Sequence, residues 1–240
     1  MFYTVGMAAS SPRPPRPPRS ARRRPDLSVE AIVTAAIAAL DDEGVEALSM
    51  RSVAARLGTG AATLYGHVAS KEELLELVFD ELVGQVPLVE PDPASWRQQV
   101  VAAMTGLRDV LVSHRDAALA GLGRIPTSPK ALAAADCLAA VLRAGGLSER
   151  TIALGLDQMV LYVTAFALEL SLYEHKGLDP EEIARYFAEV HAFYEALPAE
   201  RYPALAAISP EMTGPSRDER FAFGLNVLIS GMEALDAGTP

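Results

Sequence analysis

Five side chains in one short stretch carry donors that chemistry could use: Arg51, Thr63, Tyr65, His67 and Lys71. They offer a guanidinium, two hydroxyls, an imidazole and an ammonium, with no carboxylate in the set. Such groups donate hydrogen bonds to phosphate oxygens and base edges; they do not form an acid–base pair for proton transfer. Other catalytic patterns are incomplete. The 4 histidines are scattered and none falls in HExxH spacing. Cys137 is the sole cysteine, which excludes an internal disulfide and a CxxC metal knuckle. His114-Arg115-Asp116 copies a kinase tripeptide, but no glycine loop or DFG accompanies it. Gly121-x-Gly123 lacks a third glycine and a preceding strand. The expectation is no catalytic residue, no metal site, no cofactor and no enzyme activity.

These donors need elements to hold them. From Ser28 the apolar period is helical, with Ser28 as cap, Glu30 in the first turn, and Ile32, Val33, Ala36, Ile37 and Leu40 recurring at three- and four-residue spacing. Gly44 is expected to stop this helix. Ser49 caps a second, short helix with Met50, Val53, Ala54 and Leu57 inward, ended by Gly58. Residues 61–67 form another short helical segment. Its Leu64, with Val68, faces inward, leaving Thr63, Tyr65 and His67 outside. Ser70 and Glu73 make a capping box that opens a fourth helix, with Leu74, Leu75, Val78, Phe79 and Leu82 buried. Short helix, glycine turn, short helix, braced on both sides, is helix-turn-helix architecture, which lays the second short helix in the DNA major groove.

Three prolines in 87–94 mark a joint. Beyond it the stretches 95–114, 128–145, 148–175, 180–196 and 217–236 are periodic, and Pro198, Pro203, Pro210 and Pro215 read as breakers. No stretch alternates like a strand. The expected fold is all-α, with about nine or ten helices. It comprises a Pro/Arg-rich disordered arm over 1–25, a three-helix helix-turn-helix DNA-binding domain over 26–86, and a helical domain over 87–240. No uninterrupted apolar run reaches the ~18 residues of a membrane span, so no membrane partner is expected. The basic start lacks an apolar segment after it and does not read as a secretory signal. A cytoplasmic setting fits.

The net charge of −10 argues, taken whole, against a nucleic-acid partner. Its distribution argues otherwise. Residues 1–24 carry six arginines and no acid, residues 25–71 a net −3, and residues 72–240 a net −13. A basic arm is joined to an acidic body.

The stretches LSVEAIVTAAIAALDDEGVEALSMRSVAARLG and ATLYGHVASKEELL resemble the tetracycline-repressor family of bacterial regulators. The run T-L-Y-x-H-V-x-x-K at 63–71, following A-x-x-L-G, is its specific signature. Likeness continues through SWRQQ, HRDAALAGLGRIPTSPK and LRAGGLS. The resemblance implies a ligand-responsive regulator, most simply a homodimeric repressor released from a palindromic double-stranded DNA operator by a small-molecule effector. It implies DNA contacts from Arg51, Thr63, Tyr65, His67 and Lys71. The two base-reading positions of the tetracycline repressor fall at Ala61 and Ala62, which offer only methyl groups to thymine; the operator should therefore differ.

The resemblance also makes 87–240 a ligand-binding and dimerisation domain, with the stretches 148–175 and 217–236 pairing with their twofold copies. A largely apolar effector would lie between its helices. Met104, Leu107, Arg108, Leu111, Met159, Tyr162 and Phe166 are the candidate lining, with Arg124 and His175 as polar anchors. The histidine that holds magnesium–tetracycline in the family falls at Gly121, and the other drug-anchoring histidine near Val86–Pro87. Tetracycline sensing through those imidazoles is therefore not expected. Two other readings compete: a helical module for a protein or lipid partner, and an enzyme using the helical cavity. The second lacks a clustered acid, base, nucleophile or metal set.

The charge distribution makes the arm testable. Removing residues 1–24 should weaken DNA binding at low salt. The slope of log affinity against log salt should become shallower by about 0.9 for each phosphate that the arm neutralises. Unchanged affinity in a salt titration would exclude an arm contact.

Overall fold

The computed structural model describes residues 27–123, 127–174 and 179–237; the arm expected over 1–25 lies outside them. The described residues form eleven helices and no strand. α1 (Val29–Ala47) opens under Ser28, whose hydroxyl accepts from the Ala31 amide at 3.2 Å. Gly44, at φ 82° and ψ 168°, is non-helical and interrupts α1 where the stop was expected, and a short turn then runs on to Ala47. α2 (Met50–Arg56) starts in a reciprocal capping box made by Ser49 and Ser52. α3 (Ala61–Leu64) is shorter than expected. Residues 65–67 continue it as a turn, tightened by bonds from the Gly66 amide to the Thr63 carbonyl and from the His67 amide to the Leu64 carbonyl. α4 (Lys71–Val83) is capped by Ser70, which accepts from the Glu73 amide at 3.1 Å.

The remaining helices are α5 (Trp96–Ser113), α6 (Ala117–Gly121), α7 (Pro129–Ala144), α8 (Glu149–Glu174), α9 (Pro180–Glu195), α10 (Pro203–Thr213) and α11 (Arg217–Ala237). Two of these, α6 and α10, were not expected. α6 is five residues long and too short to show a period. α10 was hidden by its prolines. Pro203 sits in the first turn, where the missing N–H is not needed, and Pro210 lies only one turn from the end.

Burial follows the apolar period. Ile32, Ala36, Leu40, Leu48, Val53, Leu64, Val68, Leu74 and Val78 close the core of α1–α4. Val100, Leu111, Leu142, Met159, Val163, Leu225 and Ile229 close a second core where α8 packs on α5, α7 and α11. α4 joins the two, packing on α1 and also on α6 and α7. α9 packs chiefly on α10. Residues Glu149–Leu172 of α8 are long and apolar enough, by length and composition, to cross a membrane, although charged residues interrupt the run. In the fold one face of this helix, with Ile152, Met159, Val163, Phe166, Ala167 and Leu170, is buried against protein neighbours, while Leu154, Val160, Leu161 and Leu172 are exposed.

Two polar clamps fix helix ends. The Asp236 carboxylate accepts from the Ser148 amide at 3.1 Å and the Thr151 hydroxyl at 2.7 Å, tying the end of α11 to the start of α8. Those hydrogen bonds hold its carboxyl below the usual range. At the other end of the molecule, the Asp116 carboxylate accepts from the Val45 amide at 3.0 Å, one residue past the kink of α1. A Cβ on Gly44 would stand 2.8 Å from that carboxylate oxygen. The position therefore requires glycine twice, for its positive φ and for the close approach. Gly44→Ala should lower unfolding free energy by about 1–3 kcal/mol, read as a fall in the urea midpoint with unchanged slope.

Candidate nucleic-acid interface and ligand cavity

The face of α3 opposite Leu64 is open. Ala62, Thr63, Tyr65 and His67 are all exposed, Tyr65 at 55%, while Leu64 and Val68 are fully buried beneath them. Two buried residues four apart thus pin the segment and turn its donors outward. Ala61 is half-buried and packs against the core. Arg51 is exposed on α2, and among the described residues no carboxylate lies within ion-pair distance of it. The other two bases of this region serve the fold. Arg56 spans Asp42 at 2.8 Å and Glu43 at 2.7 Å. The Lys71 ammonium donates to the Val45 carbonyl at 2.8 Å, stitching the start of α4 to the end of α1. Two hydroxyls, an imidazole and a free guanidinium are therefore left on the open side. They can donate to phosphate oxygens, and the small side chains of α3 allow its backbone a close approach.

A cavity of about 430 Å³ lies between α4, α5, α7 and α8, within the range of small-molecule sites. Its walls are mostly apolar: Phe79 and Val83 from α4, Met104 and Leu107 from α5, Ala131, Ala134 and Leu138 from α7, and Leu156, Val160 and Leu161 from α8. Gly121, Leu122 and Gly123 close one side. Polar groups are few, and include Thr164, whose hydroxyl is buried without a hydrogen-bond partner among the described residues.

Of the expected lining, the structure brings Met104 and Leu107 to this cavity. The others stand elsewhere. Leu111 and Met159 are fully buried in the helix core. The Arg108 guanidinium pairs with Asp109 at 2.7 Å and Asp218 at 2.8 Å and lies 4.5 Å over the Phe221 ring. Tyr162, Phe166 and Phe221 form a ring cluster between α8 and α11, with centroids 5.2–5.9 Å apart. The Tyr162 hydroxyl donates toward the Arg220 and Phe221 carbonyls, and burial pushes its phenol up. Arg124 and His175 lie outside the described residues. α8 has two apolar faces: the expectation followed Met159, Tyr162 and Phe166, whereas the cavity lies on the face carrying Leu156, Val160 and Thr164. The spacing of apolar residues gives both faces the same period and does not say which neighbour each one meets.

Gly121 lines the cavity with no side chain to offer. A Cβ there would fall inside the van der Waals envelope of the Phe79 ring, so Phe79 fills the space. Val86 and Pro87 border an adjoining hollow of about 50 Å³, which shares Val83, Met104, Leu107, Ala134 and Leu138 with the cavity.

Sequence reasoning missed the brace between the reading head and the cavity. The Asp41 carboxylate on α1 accepts from the Arg115 amide at 3.1 Å and lies 3.0 Å from His114 Nδ1. Arg115 also donates to the Asp42 carbonyl at 3.3 Å. With Asp116 on Val45, the His-Arg-Asp tripeptide clasps the end of α1. Its signal was visible as a motif, but its partner lay 73 residues away.

Residues 32–78 match the family model described as bacterial regulatory proteins, tetR family. Residues 90–235 match the tetracyclin repressor-like C-terminal domain. An HTH-type transcriptional regulator of Saccharopolyspora erythraea is 34% identical over 89% of this chain and 87% of its own length. The HTH-type transcriptional repressor DrrR1 of Streptomyces coeruleorubidus is 32% identical over 89% and 80%. Among solved structures, the Streptomyces coelicolor TetR family protein ActR in complex with actinorhodin superposes with a TM-score of 0.81. It is 36% identical, covering 89% of this chain and 99% of that one.

The packing of Phe79 over Gly121 gives a direct test. Gly121→Ala should overpack this wall and cost about 1–3 kcal/mol of stability. Gly121→Ala combined with Phe79→Leu should recover part of it, measured by urea unfolding.

Proposed function

The chain belongs to the tetR family of bacterial regulatory proteins and is a ligand-responsive transcriptional repressor. We propose that it works as a homodimer on a near-palindromic operator, from which a small, largely apolar effector in the α4–α5–α7–α8 cavity releases it. In this reading residues 26–86 form the DNA-binding unit and residues 87–240 the sensing and dimerising unit, acting in the cytoplasm. Thr63, Tyr65, His67 and Arg51 contact phosphate oxygens or base edges. Ala62 and Ala61 form the small surface pressed toward the bases. Lys71 contributes mainly by holding α4 to α1, its ammonium already engaged by a carbonyl.

The observation that carries the proposal is that one helix serves both sites. α4 is braced against α1 through its buried face, and it presents Phe79 and Val83 to the cavity. An occupant that favours a different setting of α4 shifts the population of head orientations. It does so only to the extent that it binds the two settings unequally. The dimer is supported by apolar side chains left open on the last helix. Phe223 is 73% exposed and Val227 is 54% exposed, on the side opposite buried Phe221, Leu225 and Ile229. Twofold pairing would cover them and would set two reading helices about one DNA turn, ~34–36 Å, apart.

Among the described residues, no three histidine, cysteine, aspartate or glutamate side chains gather to hold a metal. The relatives matched over most of their length are named as regulators.

Tyr65→Ala should weaken binding to the DNA flanking the gene by about five- to tenfold, evenly across operator sequence variants. A salt titration checks it, and unchanged affinity would remove α3 from the interface. Tetracycline with Mg²⁺ should leave operator binding unchanged, because the wall at Gly121 supplies no imidazole; release in a gel-shift assay would contradict this.

A further inference from the structure

The few polar groups of the cavity describe its occupant. Thr164 is 2% exposed, and its hydroxyl has no partner among the described residues. A buried hydroxyl without a partner is costly in a folded protein, and this one lines the cavity wall, where a bound molecule can supply the missing bond. Asp157 lines the same wall seven residues earlier on α8. Seven residues are two helical turns, so the two groups share one face about 10.5 Å apart. Between them lie the apolar Val160 and Leu161. Along α8 the wall is thus hydrogen-bonding at Thr164, apolar at Val160 and Leu161, and negative at Asp157, while Thr127 and Ser128 add hydroxyl side chains elsewhere in the lining.

Resting on the reading of this cavity as the effector site, we propose that the effector is an amine-bearing, rigid apolar molecule about 10 Å long. Its cationic nitrogen lies against Asp157, and a carbonyl or hydroxyl oxygen meets Thr164. A carboxylate-bearing molecule of the same shape is disfavoured, since it would bring a like charge to Asp157, an exposed lining residue whose carboxylate also accepts from the Gln158 side-chain amide at 3.1 Å. The volume of about 430 Å³ suits a tricyclic body.

The test uses the full chain and three anthraquinones that differ only at position 2: aminomethyl, hydroxymethyl and carboxylate. Titration calorimetry at neutral pH should find the aminomethyl compound at least about tenfold tighter than the carboxylate, with the hydroxymethyl compound between them. Asp157→Asn should collapse the aminomethyl-to-hydroxymethyl ratio. Thr164→Val, nearly isosteric, should weaken all three about tenfold, and Thr164→Ser should restore them. The proposal is overturned if the carboxylate binds as tightly as the amine, if Asp157→Asn leaves the ratio intact, or if the aminomethyl compound fails to bind at about 1 mM. Ala135→Trp, which fills the cavity, separates the two levels. If it abolishes hydroxymethyl binding while the charge order is absent, only the class of occupant is wrong. If hydroxymethyl binding survives it, the cavity itself is not the site.

Discussion

The structure depends on a single helix being buried on two sides at once. α4 packs Leu74, Leu75 and Val78 into the fold of the reading head, and it also packs against α6 and α7. A helix with one buried face could tilt independently of its second neighbour. One with two cannot, because close-packed interiors repack between discrete arrangements and do not deform continuously. That constraint makes a cavity beside α4 informative to α3, which contributes no residue to its lining.

The second link runs through the end of α1. Asp41 and Val45 engage the segment His114-Arg115-Asp116, and Asp116 itself sits at φ 55°, the one positive-φ residue besides glycine among the described residues. Such a conformation persists when surrounding bonds over-determine it. Here the Val45 amide does so, and Gly44 has no Cβ to stand in the way. Five residues further along, α6 reaches the cavity wall at Gly121. The α1–α4 unit is therefore braced to the helices around the cavity by a packed helix and by a polar clasp, and both meet the same cavity.

Charge follows the same division. The chain is acidic overall, and within residues 25–71 Arg56 and Lys71 are engaged inside the fold. The head therefore presents Arg51 and neutral donors to its open side. An acidic body disfavours contact with phosphate anywhere else, which restricts productive encounters to the reading face. The six arginines of the N-terminal arm are the basic charge best placed in sequence to offset that repulsion.

Much of this was legible in the residues themselves. The caps at Ser28, Ser49 and Ser70, the glycines at 44 and 58, and the helical apolar spacing marked the first four helices, because caps, breakers and periodicity are local properties of the chain. Tyr65 and its neighbours were likewise readable as outward donors, since Leu64 and Val68 settle which face is buried. Tertiary structure alone decided the rest. It chose which apolar face of α8 meets the cavity and which meets α11, so Met104 and Leu107 line the cavity while Met159, Tyr162 and Phe166 build a core. It bound Asp41 to a tripeptide 73 residues away, engaged Lys71 with a carbonyl and left the Thr164 hydroxyl without a partner among the described residues. Periodicity shows that a face is buried; only the packing of distant segments shows what it is buried against.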